Sequence, residues 1–95
     1  MSTLFIATRS PKSGSQFETI FSLAQQGDGV IIAQDAVFSA KTNLNDLDSA
    51  SKRGVTIFAV KADLEARSIS VPQYVHSIDY VRFVELLAEY ARTFS

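Results

Sequence analysis

Two kinds of hydrophobic pattern alternate along this chain. Short runs of consecutive apolar residues, many of them β-branched, fit strands buried on both faces. Between them, apolar residues recur three and four positions apart, the period of a helix with one buried side. The clearest run is Gly29-Val30-Ile31-Ile32-Ala33. It meets polarity abruptly at Gln34 and Asp35, then continues with Val37 and Phe38 at a spacing that suits a helix beginning at Asp35. A buried strand running straight into a helix belongs to a parallel α/β sheet, where sites gather at the carboxyl ends of strands.

The remaining runs fall into order around it. Residues 4–7 predict a first strand, residues 55–60 a third and residues 74–78 a shorter fourth. Ser15 and Glu18 have the spacing of a capping box. Phe17, Ile20, Phe21 and Ala24 give the first helix one apolar face, which Gly27 is placed to end. Residues 41–45 predict a bend, after which Asn45 or Asp46 caps a helix running to about Arg53, with Gly54 as its stop. That helix has only Leu44, Leu47 and Ala50 on its apolar side, so a mobile surface position is expected. Asp63 is placed to cap a helical turn over residues 64–67, a loop containing Pro72 follows, and Asp79 caps the last helix. The stripe of Phe83, Leu87, Tyr90 and Phe94, beside Val84 and Ala88, predicts a helix continuing to Phe94. The alternation predicts one α/β domain over residues 1–95. Its sheet is mainly parallel with about four strands, with helices on both faces and right-handed crossovers.

Composition removes whole classes of function. The chain has no cysteine, hence no disulfide framework, no thiol nucleophile, no cysteine-ligated metal and no persulfide of its own. Its single histidine makes no histidine-rich metal site. The net charge is −1, and Lys52-Arg53 is the only adjacent basic pair, so no basic face for nucleic acid is expected. No apolar run approaches the ~20 residues that span a bilayer, and no signal-peptide pattern opens the sequence. A cytoplasmic protein is the expectation. Neither GxxxxGK[ST] nor GxGxxG occurs, nor a GxSxG elbow, and no cofactor is expected. Phe17, Phe21, Phe38, Phe58, Phe83 and Phe94, with Tyr74, Tyr80 and Tyr90, are many large side chains for so small a domain. They either fill a tight core or leave a surplus on helix faces for a protein interface.

Candidate chemistry is sparse. Ser10, Lys12 and Ser13 lie in the loop ahead of the first helix, where hydroxyls, an ammonium and the positive end of a helix suit an anion. The same composition equally serves a plain connection. Gln34 and Asp35 sit at one strand end, and Asp63, His76 and Asp79 sit near others. Each aspartate stands where a helix needs a cap, which accounts for all three without chemistry. His76, on an apolar strand, reads as a hydrogen-bonded structural residue. A hydrolase built on Asp35 and His76 requires those two side chains to meet.

Four segments stand in the order seen in the DsrH/TusB family, which the chain resembles over nearly its whole length. They are Leu4 to Pro11 ending in Arg9-Ser10-Pro11, then Gln34-Asp35, then Asp63-Leu64-x-Ala66-Arg67, then Ile78-Asp79-Tyr80-x-x-Phe83-Val84. The resemblance implies the small three-layer α/β/α sandwich of DsrE-like sulfur-relay subunits. It also implies a hetero-oligomer with DsrE/TusD-like and DsrF/TusC-like partners, or self-association where these are missing. Such complexes pass persulfide sulfur between cysteines, for 2-thiolation of the tRNA wobble uridine or for sulfur oxidation. Some members carry a cysteine in the first helix, and alignment on the flanking segments puts Ile20 there. Ala36 and Ser68 stand where the family commonly has glycine. The implied role is a non-catalytic accessory subunit, with no metal, nucleic-acid or membrane contact. Ser10, Lys12, Ser13, Gln34, Asp35, Phe38, Asp63 and Arg67 would lie on one edge facing a partner or ligand. The alternative is a stand-alone regulatory domain that binds a small molecule or anion through the loop of residues 10–15.

Overall fold

Five parallel strands form one sheet in the computed structural model, which describes residues 2–95. They are β1 (Thr3–Ala7), β2 (Gly29–Ile32), β3 (Thr56–Val60), β4 (Val75–Ile78) and β5 (Arg92–Phe94), in the spatial order β4-β3-β2-β1-β5. The helices are α1 (Gln16–Leu23), α2 (Ser39–Thr42), α3 (Leu44–Lys52), α4 (Lys61–Ala66) and α5 (Tyr80–Glu89). A 3-10 turn, Gln34–Phe38, joins β2 to α2.

The order explains the layers. From β1 to β4 each crossover steps to the next strand in one direction, and right-handed crossovers taken in one direction lay their helices on one face. The last crossover runs back across the sheet to pair β5 with β1, so α5 falls on the other face. The packing follows suit. Phe17, Ile20, Phe21 and Ala24 of the α1 segment, Leu47 and Ala50 of α3, and Leu64 of α4 bury against Phe5, Val30, Ile32, Ile57 and Ala59. On the opposite face Leu86 of α5, with Phe83 and Tyr90, packs on Leu4, Ile31, Phe58, Val60 and Ile78. Alternate residues of each strand serve the two sides, which is why all four positions of β2 are buried.

Several expectations hold. The first-helix face, the continuously apolar inner strands and the parallel pairing are as the pattern indicated. Asp79 is the N-cap of α5, its carboxylate accepting the Arg82 N–H at 2.8 Å.

Others are corrected. The sheet has five strands, not about four, and the last helix stops at Glu89. Tyr90 is already extended, and Phe94 lies on β5 with its ring 5.5 Å from that of Phe5. Helical period cannot reveal that β1 has an open edge whose N–H and C=O groups need partners; residues 92–94 provide them. Leu86, outside the expected stripe, is the residue α5 buries most fully, whereas Leu87 is exposed. Ser15 begins α1 but its hydroxyl makes no cap. The bend before α3 shrinks to Asn43, so neither Asn45 nor Asp46 caps the helix. That helix is anchored, not merely superficial, because Leu47 and Ala50 are fully buried. Gly27 does not end α1, which stops at Leu23; its positive φ serves the turn into β2, where its N–H donates to the Gly54 carbonyl. Asp63 lies inside the first turn of α4 and caps nothing there. Among the described residues no helix is long and apolar enough to cross a membrane.

Candidate functional site

The carboxyl ends of β2 and β3 are neighbours in the sheet, so the turn after β2 and the helix after β3 are brought together. Past Ile32 the chain enters the 3-10 turn at Gln34, whose φ of 50° is left-handed, a region that non-glycine side chains disfavour. The Gln34 N–H donates to Asp63 Oδ2 at 2.8 Å, so a carboxylate from α4 holds the strained entry of the turn. Asp63 and Arg67 are four positions apart and share a face of α4. The Arg67 guanidinium donates to the Asp63 carbonyl at 3.2 Å and to Asp35 Oδ1 at 3.0 Å, and lies 3.6 Å from Asp63 Oδ1. Its carbon sits 5.8 Å from the centre of the Phe38 ring. Arg67 therefore joins two carboxylates and an aromatic ring.

The exposure of these groups decides what they contribute. The Arg67 side chain is 25% exposed and Asp35 61%, so the pair adds less than ~1 kcal/mol to stability. The cation over the Phe38 ring adds about 0.5–1 kcal/mol. The Asp63 link to the backbone is the stronger element, as a charge-assisted hydrogen bond. Chemically the arrangement offers a fixed guanidinium, an exposed carboxylate and a partly exposed ring, with both carboxylates engaged by donors.

Five of the eight expected residues thus converge: Gln34, Asp35, Phe38, Asp63 and Arg67. Ser10, Lys12 and Ser13 do not join them. Their loop bonds locally, with Lys12 N–H donating to Ser10 Oγ and Ser13 N–H to the Ser10 carbonyl. The Gln16 carboxamide oxygen accepts the N–H groups of Thr8 and Arg9, so four donors that could meet an anion are already used. Sequence reasoning missed Gln16, because the Ser15–Glu18 spacing drew attention instead. A cleft of about 280 Å³ between α1 and α3 is lined in part by Phe17, Phe21, Glu18, Asp46 and Arg53, and by none of the eight. His76 is exposed on β4, with its ring 5.8 Å from that of Phe58, and Asp35 pairs with Arg67 instead. No group of three metal-binding side chains occurs among the described residues.

Ala36 and Ser68 differ in consequence. Ala36 is fully buried without a positive φ, so no glycine is required there. Ser68 has a φ of 52°, where glycine is the easier residue.

The comparisons with known proteins agree with one another. The family model described as DsrH like protein matches residues 9–93. Protein TusB of Salmonella paratyphi B is 32% identical over 81 residues, covering 83% of this chain and 85% of its own length. Protein TusB of Salmonella arizonae is 31% identical over the same span. Among solved structures, the ychN protein from E. coli superposes with a TM-score of 0.79 over 99% of this chain and 97% of its own. At 14% identity that is a likeness of fold. Protein Tm0979 from Thermotoga maritima superposes with a TM-score of 0.66, at 25% identity over 92% of each chain. With the family model spanning nearly every residue and TusB relatives aligned over most of both lengths, the chain belongs to the DsrH family.

Proposed function

We propose that this chain is a non-catalytic subunit of a cytoplasmic sulfur-relay complex of the DsrEFH/TusBCD kind. It would serve tRNA wobble-uridine 2-thiolation or sulfur oxidation, while a partner supplies the reactive thiolate. The observation that carries this reading is family membership over residues 9–93 in a chain with no cysteine. Ile20, where some members carry a thiol, is fully buried, so that position lacks access as well as sulfur. The cluster of Asp35, Phe38 and Arg67 supports a docking role. An aromatic ring and a half-buried arginine are residue types that anchor protein interfaces.

The test is the native mass of the chain, purified alone and after co-expression with DsrE/TusD-like and DsrF/TusC-like proteins. A mixed complex is expected. The double variant Asp35→Ala, Arg67→Ala should weaken it at least about tenfold, about 1.4 kcal/mol. A chain that ignores both partners overturns the assignment. A complex indifferent to the double variant moves the docking surface elsewhere.

A further inference from the structure

The charges of the Arg67 cluster do not cancel. Asp35 and Asp63 are both negative and Arg67 alone is positive, so one negative charge is left over. The rest of the two elements leaves that balance as it is. The turn of residues 34–38 has no charged residue but Asp35. On α4, Lys61 and Glu65 stand two positions before Asp63 and Arg67 respectively. That puts each about 160° round the helix from the cluster, and the two offset one another in charge.

Burial decides where the surplus charge sits. The Asp63 side chain is 17% exposed, with Oδ2 bonded to the Gln34 N–H and Oδ1 facing Arg67. That of Asp35 is 61% exposed. Its Oδ1 accepts from Arg67, but a carboxylate has about four lone-pair sites, so most of its accepting capacity stays open to solvent. The Phe38 ring, 36% exposed, lies beside the same guanidinium. A carboxylate brought by a partner would meet an arginine that already stands between two. An ammonium or guanidinium would instead meet an open carboxylate, with a ring beside it to cover its apolar stem.

We propose that the sister subunit docks on this cluster through a basic side chain, which pairs with Asp35 and lays its stem on Phe38. The inference rests on the reading of the chain as a relay-complex subunit, and adds the charge of the group the partner must bring. Arg67 then acts by holding Asp35 and Phe38 in place, and its own charge opposes the approach of the partner.

Association kinetics read that sign, because exposed charges at an interface act mainly on the rate of encounter. The full chain, as wild type, Asp35→Asn and Arg67→Gln, is passed over the immobilised DsrE/TusD-like and DsrF/TusC-like proteins. Each variant removes one charge and keeps a polar side chain, and circular dichroism checks that both retain the fold. At about 0.1 M salt, Asp35→Asn should associate about threefold more slowly than the wild type and Arg67→Gln about threefold faster, the size expected of unit charges about 7 Å apart in water. At about 1 M salt, where the Debye length is about 3 Å, the three rates should converge. An Arg67→Gln variant that associates no faster than the wild type, or an Asp35→Asn variant that associates no slower, overturns the proposal. The two reversed together assign an acidic group to the partner. A wild-type chain that binds neither sister protein overturns the assignment of function itself, and this inference with it.

Discussion

Replacing Asp63 with alanine isolates the hydrogen bond that holds the candidate cluster together. Its carboxylate accepts the Gln34 N–H at 2.8 Å and flanks Arg67, with the side chain only 17% exposed. A hydrogen bond to a charged group contributes about 1.5–3 kcal/mol. Gln34 is itself exposed, so water recovers part of the loss, and the lower half of that range applies. The left-handed Gln34 adds to the strain the bond restrains, since such a conformation costs about 1–2 kcal/mol without glycine. Asp63→Ala should therefore destabilise by about 2 kcal/mol, lowering Tm by roughly 10 °C in a domain of this size. Asp63→Asn keeps a carbonyl oxygen in the accepting position and should cost less than about 1 kcal/mol. Urea unfolding gives both values, and amide exchange at Gln34 gives the local one: slow in the wild type, fast in Asp63→Ala. Equal destabilisation by Ala and Asn would show that the bond to the Gln34 backbone is not what Asp63 contributes.

Two further outcomes rest on local geometry. Ser68→Gly should raise stability by about 0.5–1 kcal/mol, measured as a shift in urea midpoint, because it relieves a left-handed serine at some entropic cost in the unfolded chain. A neutral or destabilising result would place the strain elsewhere. Burial, followed by the charges of Glu89 and Asp28, raises the Tyr90 phenol above its ordinary value of 10.0. The unfolded chain then loses that proton first, so stability is intact below about pH 10 and falls as pH rises through the folded value. Tyr90→Phe should flatten that alkaline loss in urea midpoints, leaving the part due to Tyr74, whose phenol is also raised.

What the sequence reveals about this fold depends on how local the cause is. The inner strands are legible because burial on both faces leaves unbroken apolar runs, as at Val30-Ile31-Ile32. The cap of α5 is legible because Asp79 and Arg82 are three positions apart. Asp63 looked like another such cap, but its partner is Gln34, 29 positions away. Arg67 reaches Asp35 across 32 positions. Residue types and strand ends bring both aspartates into view, but only the sheet order makes β2 and β3 neighbours and so lets α4 reach the turn after β2. The fifth strand is hidden for the same reason. Arg92-Thr93-Phe94 has no strand pattern of its own, and its conformation is set by the open edge of β1.

The crossover that creates β5 also separates the molecule's two candidate surfaces. A connection from β4 back to β1 must lay its helix on the face the other helices leave bare. One helix is about 10 Å across, whereas five strands about 4.8 Å apart make a sheet of roughly 19 Å. A single α5 therefore covers about half that face, which is consistent with the exposure of His76 and the partial exposure of Ile6 there. The Arg67 cluster arises instead from the forward-stepping crossovers and sits beyond the strand ends, sharing no residue with α5. Substitutions at separate sites with no shared partners act additively. Val84→Glu, on the exposed face of α5, should therefore leave docking through Asp35 and Arg67 intact in the co-expressed complex. If Val84→Glu weakens that docking as much as the double variant Asp35→Ala, Arg67→Ala does, the two surfaces are one interface and the separation drawn from the topology is wrong.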